Sequence, residues 1–196
     1  PVWSESTSFH PVLSAAPPDT RRQALRQALR EARERFAAAP GFEAAEAALT
    51  AHLSALTAQL AGRALDDSLD AWLNREHGAG SATFDALRAS CREGVAEGWL
   101  CNREGGGIKY GRIFKPAPDL HGFSVDVVDM TDIAGPHHVH PKGEIDLVMP
   151  QSGSAKFDGR PAGWLVCPPG SAHRPTVTEG RALVLYLLPE GQIQFT

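Results

Sequence analysis

The chain has 196 residues, with 19 Lys plus Arg against 23 Asp plus Glu and a formal net charge of −4. That length suits one large domain or two small ones, and 42% hydrophobic with 21% charged residues is ordinary globular composition that excludes wholesale disorder. The acidic balance argues against nucleic acid or an anionic membrane as partner, and no run approaches the roughly 20 apolar residues of a spanning helix.

Residues 1–17 hold three prolines and several Ser and Thr, and predict an extended arm without the basic start and apolar run of a secretory signal. Asp19 is a candidate N-cap for a helix over 20–38, with Leu25, Leu29, Ala32 and Phe36 as its apolar stripe. The arginines at 21, 22, 26, 30, 33 and 35 read as a solvated face, pairing with Glu31 and Glu34 at helical spacing. A second helix is predicted over 43–62, with Leu49, Leu53, Leu56 and Leu60 on one face. A third covers 66–76 with Leu69, Trp72 and Leu73. A fourth covers 82–97, capped by Ser81 and burying Phe84, Leu87, Cys91 and Val95.

Near residue 100 an Ala, Leu, Arg and Glu composition gives way to Gly, Pro, Val and Ile. Short β-branched and aromatic runs at 108–115, 123–130, 144–149, 163–167 and 182–188 predict strands. The expected fold class is therefore α+β: an arm and helical region over 1–100, then a small barrel or jelly roll over 101–196. Cys91, Cys101 and Cys167 are too few and too scattered for a disulfide framework or a C-x-x-C metal site, and read as free thiols in a reducing cytoplasm.

The chemistry concentrates in G-P-H-H-V-H-P-K-G-E, residues 135–144, where three of the eight histidines fall within four residues. On a strand, His138 and His140 share one face, while His137 and Val139 take the other. Pro141-Lys142-Gly143 supplies a turn, and Glu144 opens the next strand. Two imidazoles and a carboxylate converging this way suit Fe, Zn, Mn or Ni. The bland alternative is a set of ordinary polar residues on a surface strand. Further on, Pro168-Pro169-Gly170-Ser171-Ala172-His173 offers a turn followed by another histidine.

The pair G-x-x-H-x-H-x-x-x-E and P-x-G-x-x-H resembles the two motifs of the cupin superfamily, which lie on a double-stranded β-helix, or jelly-roll, barrel. The resemblance implies a divalent metal held by His138, His140, Glu144 and His173. The glycine expected after Glu144 is displaced to Gly153, and Val177 stands where Asn is usual; both differences touch loops rather than ligands. The stretches GEIDLVMP, GWLVCPPGSAHRPTV and RALVLYLLPEGQIQF are similar to the bacterial 4-hydroxylaminobenzoate lyase family, over residues 105–196 above all. That resemblance implies a metal-dependent conversion of 4-hydroxylaminobenzoate to protocatechuate and ammonia, in the breakdown of 4-nitrobenzoate.

Asp146, two residues after Glu144, shares its strand face and is read either as a group that orients an imidazole or moves protons, or as a solvated strand residue. With Glu144 it forms the candidate catalytic pair. An anionic benzoate calls for a cation: Arg174 first, then Arg112, which shares a strand face with Tyr110 and Phe114 so that the set could hold both the ring and its charge, with Tyr110 a candidate substrate-binding residue, then Lys142. Tyr186 reads as barrel core. The expected partner is a small aromatic carboxylate, with neither nucleic acid nor membrane, and a homo-oligomer built through the helical half. The alternatives are another cupin metalloenzyme, such as an iron-dependent dioxygenase or an isomerase, and a ligand-sensing regulator. Against the regulator, residues 1–100 hold ten Lys and Arg to thirteen Asp and Glu and show no recognition-helix pattern.

Overall fold

A computed structural model describes Gln27 and residues 42–196. The arm predicted over 1–17 and, apart from Gln27, the helix predicted over 20–38 lie outside the described residues. Ala45–Thr196 form one compact unit.

Three helices lead the described chain: α1 (Phe42–Leu60), α2 (Asp67–His77) and α3 (Ala82–Ala96). Leu49, Leu53, Leu56 and Leu60 are all buried along α1, as their spacing predicts. The Asp66 side chain caps α2 by accepting the Leu69 N–H at 3.0 Å, and Ser81 caps α3 by accepting the Phe84 N–H at 3.1 Å. Beyond α3 the chain folds back, and the Trp99 and Leu100 N–H groups both donate to the Gly94 carbonyl. A Cβ at Gly94 would stand 2.5 Å from Leu100 Cγ, so only glycine admits this return. No helix among the described residues is long and apolar enough to cross a membrane.

The rest is antiparallel sheet: β1 (Arg103–Gly105), β2 (Ile108–Phe114), β3 (Phe123–Ala134), β4 (His138–Val139), β5 (Glu144–Pro150), β6 (Lys156–Phe157), β7 (Gly163–Cys167), β8 (Ala172–His173), β9 (Thr176–Pro189) and β10 (Gln194–Phe195). The five predicted strands fall on β2, β3, β5, β7 and β9. Hydrogen bonding runs in two sheets rather than around a closed barrel. The larger sheet has the order β1-β2-β3-β9-β5-β7 with β6 also on β9, and the smaller has the order β10-β4-β8. This is an α+β, jelly-roll-like arrangement.

The long strands outrun their predicted lengths because β3 and β9 stay paired beyond an irregularity at Thr131/Ile133. There Asp132 adopts φ +43° and its carboxylate accepts the Gly180 N–H at 2.9 Å. The bulge bends both strands so that Ile133 and Ala134 pair with Val177 and Thr176.

Both faces of the large sheet are buried. Trp164, Leu147, Leu185 and Val127 stand in cross-strand register, and the Trp164 indole N–H donates to the His77 carbonyl of α2 at 2.8 Å, so this face meets the helices. The opposite face carries Val148, Val184, Met130 and Ile108 in an apolar core shared with Phe157 and Tyr186. Glu144 and Asp146 begin that inner face, which explains why every residue of β5 from Glu144 to Met149 is buried.

Candidate metal centre

Two of the shortest strands build the site. β4 and β8 pair with His138 directly opposite His173, so both imidazoles project from one face. After β4, the His140 N–H donates to the Ser171 carbonyl at 2.8 Å, and the His140 carbonyl accepts from Gly143 at 3.2 Å and Gly170 at 2.8 Å. Gly143 holds φ +87°, and a Cβ there would lie 2.8 Å from the Cys167 carbonyl oxygen. That glycine turn delivers Glu144 to the start of β5, beneath the histidines.

His138, His140, Glu144 and His173 offer ligand atoms that all lie within 4.8 Å of one another. His140 Nε2 is 3.2 Å from Glu144 Oε1, His173 Nε2 is 3.5 Å from the same oxygen, and His138 Nε2 is 3.8 Å from Oε2. His138 Nε2 and His173 Nε2 are 3.0 Å apart. Ligand atoms at about 2.0–2.2 Å from one ion lie roughly 3–4 Å from each other, so these separations suit a shared cation. Meanwhile every Nδ1 has a partner: Pro136 O for His138, Ser171 Oγ for His140 and Asp158 Oδ2 for His173. Those contacts aim each Nε2 at the centre. His140 Nε2 and both Glu144 oxygens are buried without a hydrogen-bond partner. Orphaned polar atoms of this kind are costly to bury, and a divalent cation would satisfy all three at once. The donor set therefore fits a metal. His137 turns away, its Nδ1 2.6 Å from Thr196 Oγ1.

The electrostatics agree. Burial opposes the charge on Glu144, but the surrounding imidazoles outweigh it and hold the carboxyl well below the usual range. Asp146 moves the other way: burial first and the Glu144 charge second push it well above. Burial lowers His173, yet Asp158 and then Glu144 prevail and raise it to about 9.

A polar row crosses the inner face from this centre. Asp146 on β5, Tyr186 on β9, Asp126 on β3 and Arg112 on β2 occupy successive register positions. Arg112 Nε donates to both Asp126 oxygens, at 3.0 and 3.1 Å, and Nη2 donates to the Gly191 carbonyl at 3.3 Å. Burial, then the Glu144 and Asp146 charges, raises the Tyr186 hydroxyl well above its usual value, so it remains a neutral donor. Cys167 stands opposite Glu144, with its Sγ 4.0 Å from Asp146 Oδ2.

The other cations predicted from the sequence are placed differently. The Arg174 guanidinium donates to the Gly135 carbonyl at 3.1 Å, and Lys142 pairs with Glu190 at the surface. Tyr110 is half-buried on the same strand face as Arg112.

Sequence reasoning missed Asp158 and Ser171, which hold two of the imidazoles. Asp158-Gly159 is the tight turn after β6, with φ +49° and +78°. From the sequence it signals a hairpin and nothing more. Ser171 lies inside the second histidine motif, where its hydroxyl could have been noted.

The profile of the 4-hydroxylaminobenzoate lyase family matches residues 51–195. The chain belongs to the 4-hydroxylaminobenzoate lyase family. A curated 4-hydroxylaminobenzoate lyase from Nocardioides sp. (strain LMS-CY) is 32% identical, with 70% of this chain and 86% of that protein covered. One from Pseudomonas putida is 30% identical, covering 70% and 88%. Among solved structures, a protein with a cupin-like fold from Ralstonia eutropha JMP134 is 22% identical at a TM-score of 0.35, over 45% of this chain and 63% of that one. The matched family segment contains α2, α3, all ten strands and every residue of the histidine–glutamate cluster.

Proposed function

We propose that this chain is a metal-dependent lyase converting 4-hydroxylaminobenzoate to protocatechuate and ammonia. The observation that carries the reading is the buried set of three imidazoles and Glu144, its inward atoms lacking other partners, in a member of this lyase family. His138, His140, Glu144 and His173 would hold the ion, and their mix of imidazole and carboxylate suits Fe, Zn, Mn or Ni.

Substrate plus one water balances protocatechuate plus ammonia, so no net redox partner is required. A bound divalent metal supplies Lewis acidity toward the hydroxylamine oxygen. The leaving oxygen also needs a proton, and we assign its delivery to Asp146, whose carboxyl is fully buried beside Glu144 and inclined by that burial toward its protonated form. Water then adds at the neighbouring ring carbon, and hydrolysis of the resulting imine releases ammonia. We assign the substrate carboxylate to Arg112. Asp126 fixes its guanidinium, the Nη1 donors remain for a ligand, and it ends the polar row that begins at Asp146.

Incubating the purified metal-loaded protein with 4-hydroxylaminobenzoate, without oxygen or reductant, tests the reading. Equal amounts of ammonia and protocatechuate are expected, with KM rising roughly tenfold or more in Arg112→Ala, as loss of a charge-assisted contact implies. Turnover that consumes oxygen or yields no ammonia would overturn it.

A further inference from the structure

We infer that Phe195 is a substrate-contact residue that grips the aromatic ring of the ligand beside His138 of the candidate metal centre. The inference rests on the reading of the substrate as an aromatic carboxylate and adds the residue that recognises its ring. β10 pairs with β4 so that Phe195 stands directly opposite His138, which in turn stands opposite His173. Directly opposed residues of antiparallel strands share a face, so Phe195 joins the face from which both imidazoles reach the centre. Its ring centroid is 5.6 Å from that of His138, at 72°.

Phe195 is nevertheless 59% exposed, while the other large hydrophobic side chains of the described residues are not. A solvated phenyl ring whose centroid lies 5.6 Å from that of a candidate ligating imidazole offers apolar surface to an aromatic ligand that reaches His138. The position is well defined. The Thr196 N–H donates to the His137 carbonyl at 3.2 Å, and the Thr196 hydroxyl meets His137 Nδ1, so β10 is latched to β4 on its far side. Buried Phe157 lies with its ring 5.9 Å from His173. His138 thus has the exposed Phe195 ring beside it, and its neighbour His173 has the buried Phe157 ring. A flat aromatic ligand against Phe195 gains an edge or face contact that a saturated ring of equal charge does not.

The test titrates the metal-loaded protein with 4-aminobenzoate and with cyclohexanecarboxylate, in the wild type, Phe195→Ala and Phe195→Tyr. Metal content and oligomeric state are measured alongside. The expected result is preference for the aromatic acid in the wild type, a loss of roughly three- to tenfold in that preference in Phe195→Ala, and its return in Phe195→Tyr. In turnover, Phe195→Ala should raise KM with kcat and metal content held. Unchanged binding of 4-aminobenzoate by Phe195→Ala overturns the inference alone, as does a change confined to oligomeric state, which makes Phe195 an interface residue. A wild type that binds neither acid overturns the aromatic-substrate reading, and the inference falls with it.

Discussion

Asp158 settles the orientation of His173. One of its carboxylate oxygens takes the imidazole Nδ1, and the other accepts the Thr176 N–H at 2.8 Å. A carboxylate behind a ligating imidazole fixes the ring and raises its basicity, and losing such a partner lowers metal affinity about 10–100-fold. Asp158→Asn should therefore weaken metal binding by that factor in a chelator competition. The same contact has a pH signature in the metal-free protein. His173 is raised from an ordinary value near 6.5 to about 9, so its folded form binds a proton that the unfolded chain has released across that interval. Its contribution to stability is complete below about 6.5 and disappears as pH rises through about 9. Thermal melts of metal-free protein over that window should show Tm falling with pH, and Asp158→Asn should flatten the fall. At this scale the sequence was legible where alternation governs: His138 and His140 point inward and His137 outward, as H-H-x-H on a strand requires. Asp158 was not, because its partner is 15 residues away and its own sequence context speaks only of a turn.

Helix α2 protects the edge of the large sheet. Strand β7 pairs with β5 on one side only, and on the other side Asn74 accepts the Trp164 N–H at 2.8 Å and donates to the Trp164 carbonyl at 2.9 Å. Asp70 accepts the Val166 N–H at 3.1 Å and pairs with Arg160. Two polar side chains one helical turn apart thereby replace a missing neighbour strand, which keeps the edge from templating another chain. Asn74→Ala strands a buried backbone donor and acceptor, so it should lower unfolding free energy by about 1–3 kcal/mol in denaturant melts, with faster hydrogen exchange at the Trp164 amide. The helix itself was readable from Leu69 and Leu73, both buried at the expected spacing. Its tethering role was not, since Asp70 and Asn74 look like ordinary solvent-facing residues until β7 lies beside them. Strands β1, β6, β8 and β10 escaped the sequence for a simpler reason: two or three residues cannot display a period.

Across the whole molecule, the large sheet is buried on both faces, but the faces differ in chemistry. The helix side is uniformly apolar through Ile145, Leu147 and Met149, whereas the inner side begins with Glu144 and Asp146 before turning apolar at Val148. A buried anionic end within an apolar chamber is unfavourable unless charge is supplied from outside, and the three imidazoles on the chain before β5 and on β8 are aimed to share a cation with it. Among the described residues, the passage from helices to strands was visible as a change of composition near residue 100, and the motif pair located the cluster. The continuation of the β3–β9 pair past a bulge, up to the residues that lead into β4 and out of β8, was not visible, because bulges follow from local φ values at Asp132 and Gly180 rather than from hydrophobic periodicity. On the proposed function, His138, His140, Glu144 and His173 hold one divalent metal on which activity depends. Elemental analysis of the purified wild type beside His140→Ala and Glu144→Gln tests it most directly. About one metal ion per wild-type chain is expected, with little or none in the folded variants and ammonia release following metal content. Full metal occupancy in those variants, or undiminished ammonia release from wild type stripped of metal, would contradict it.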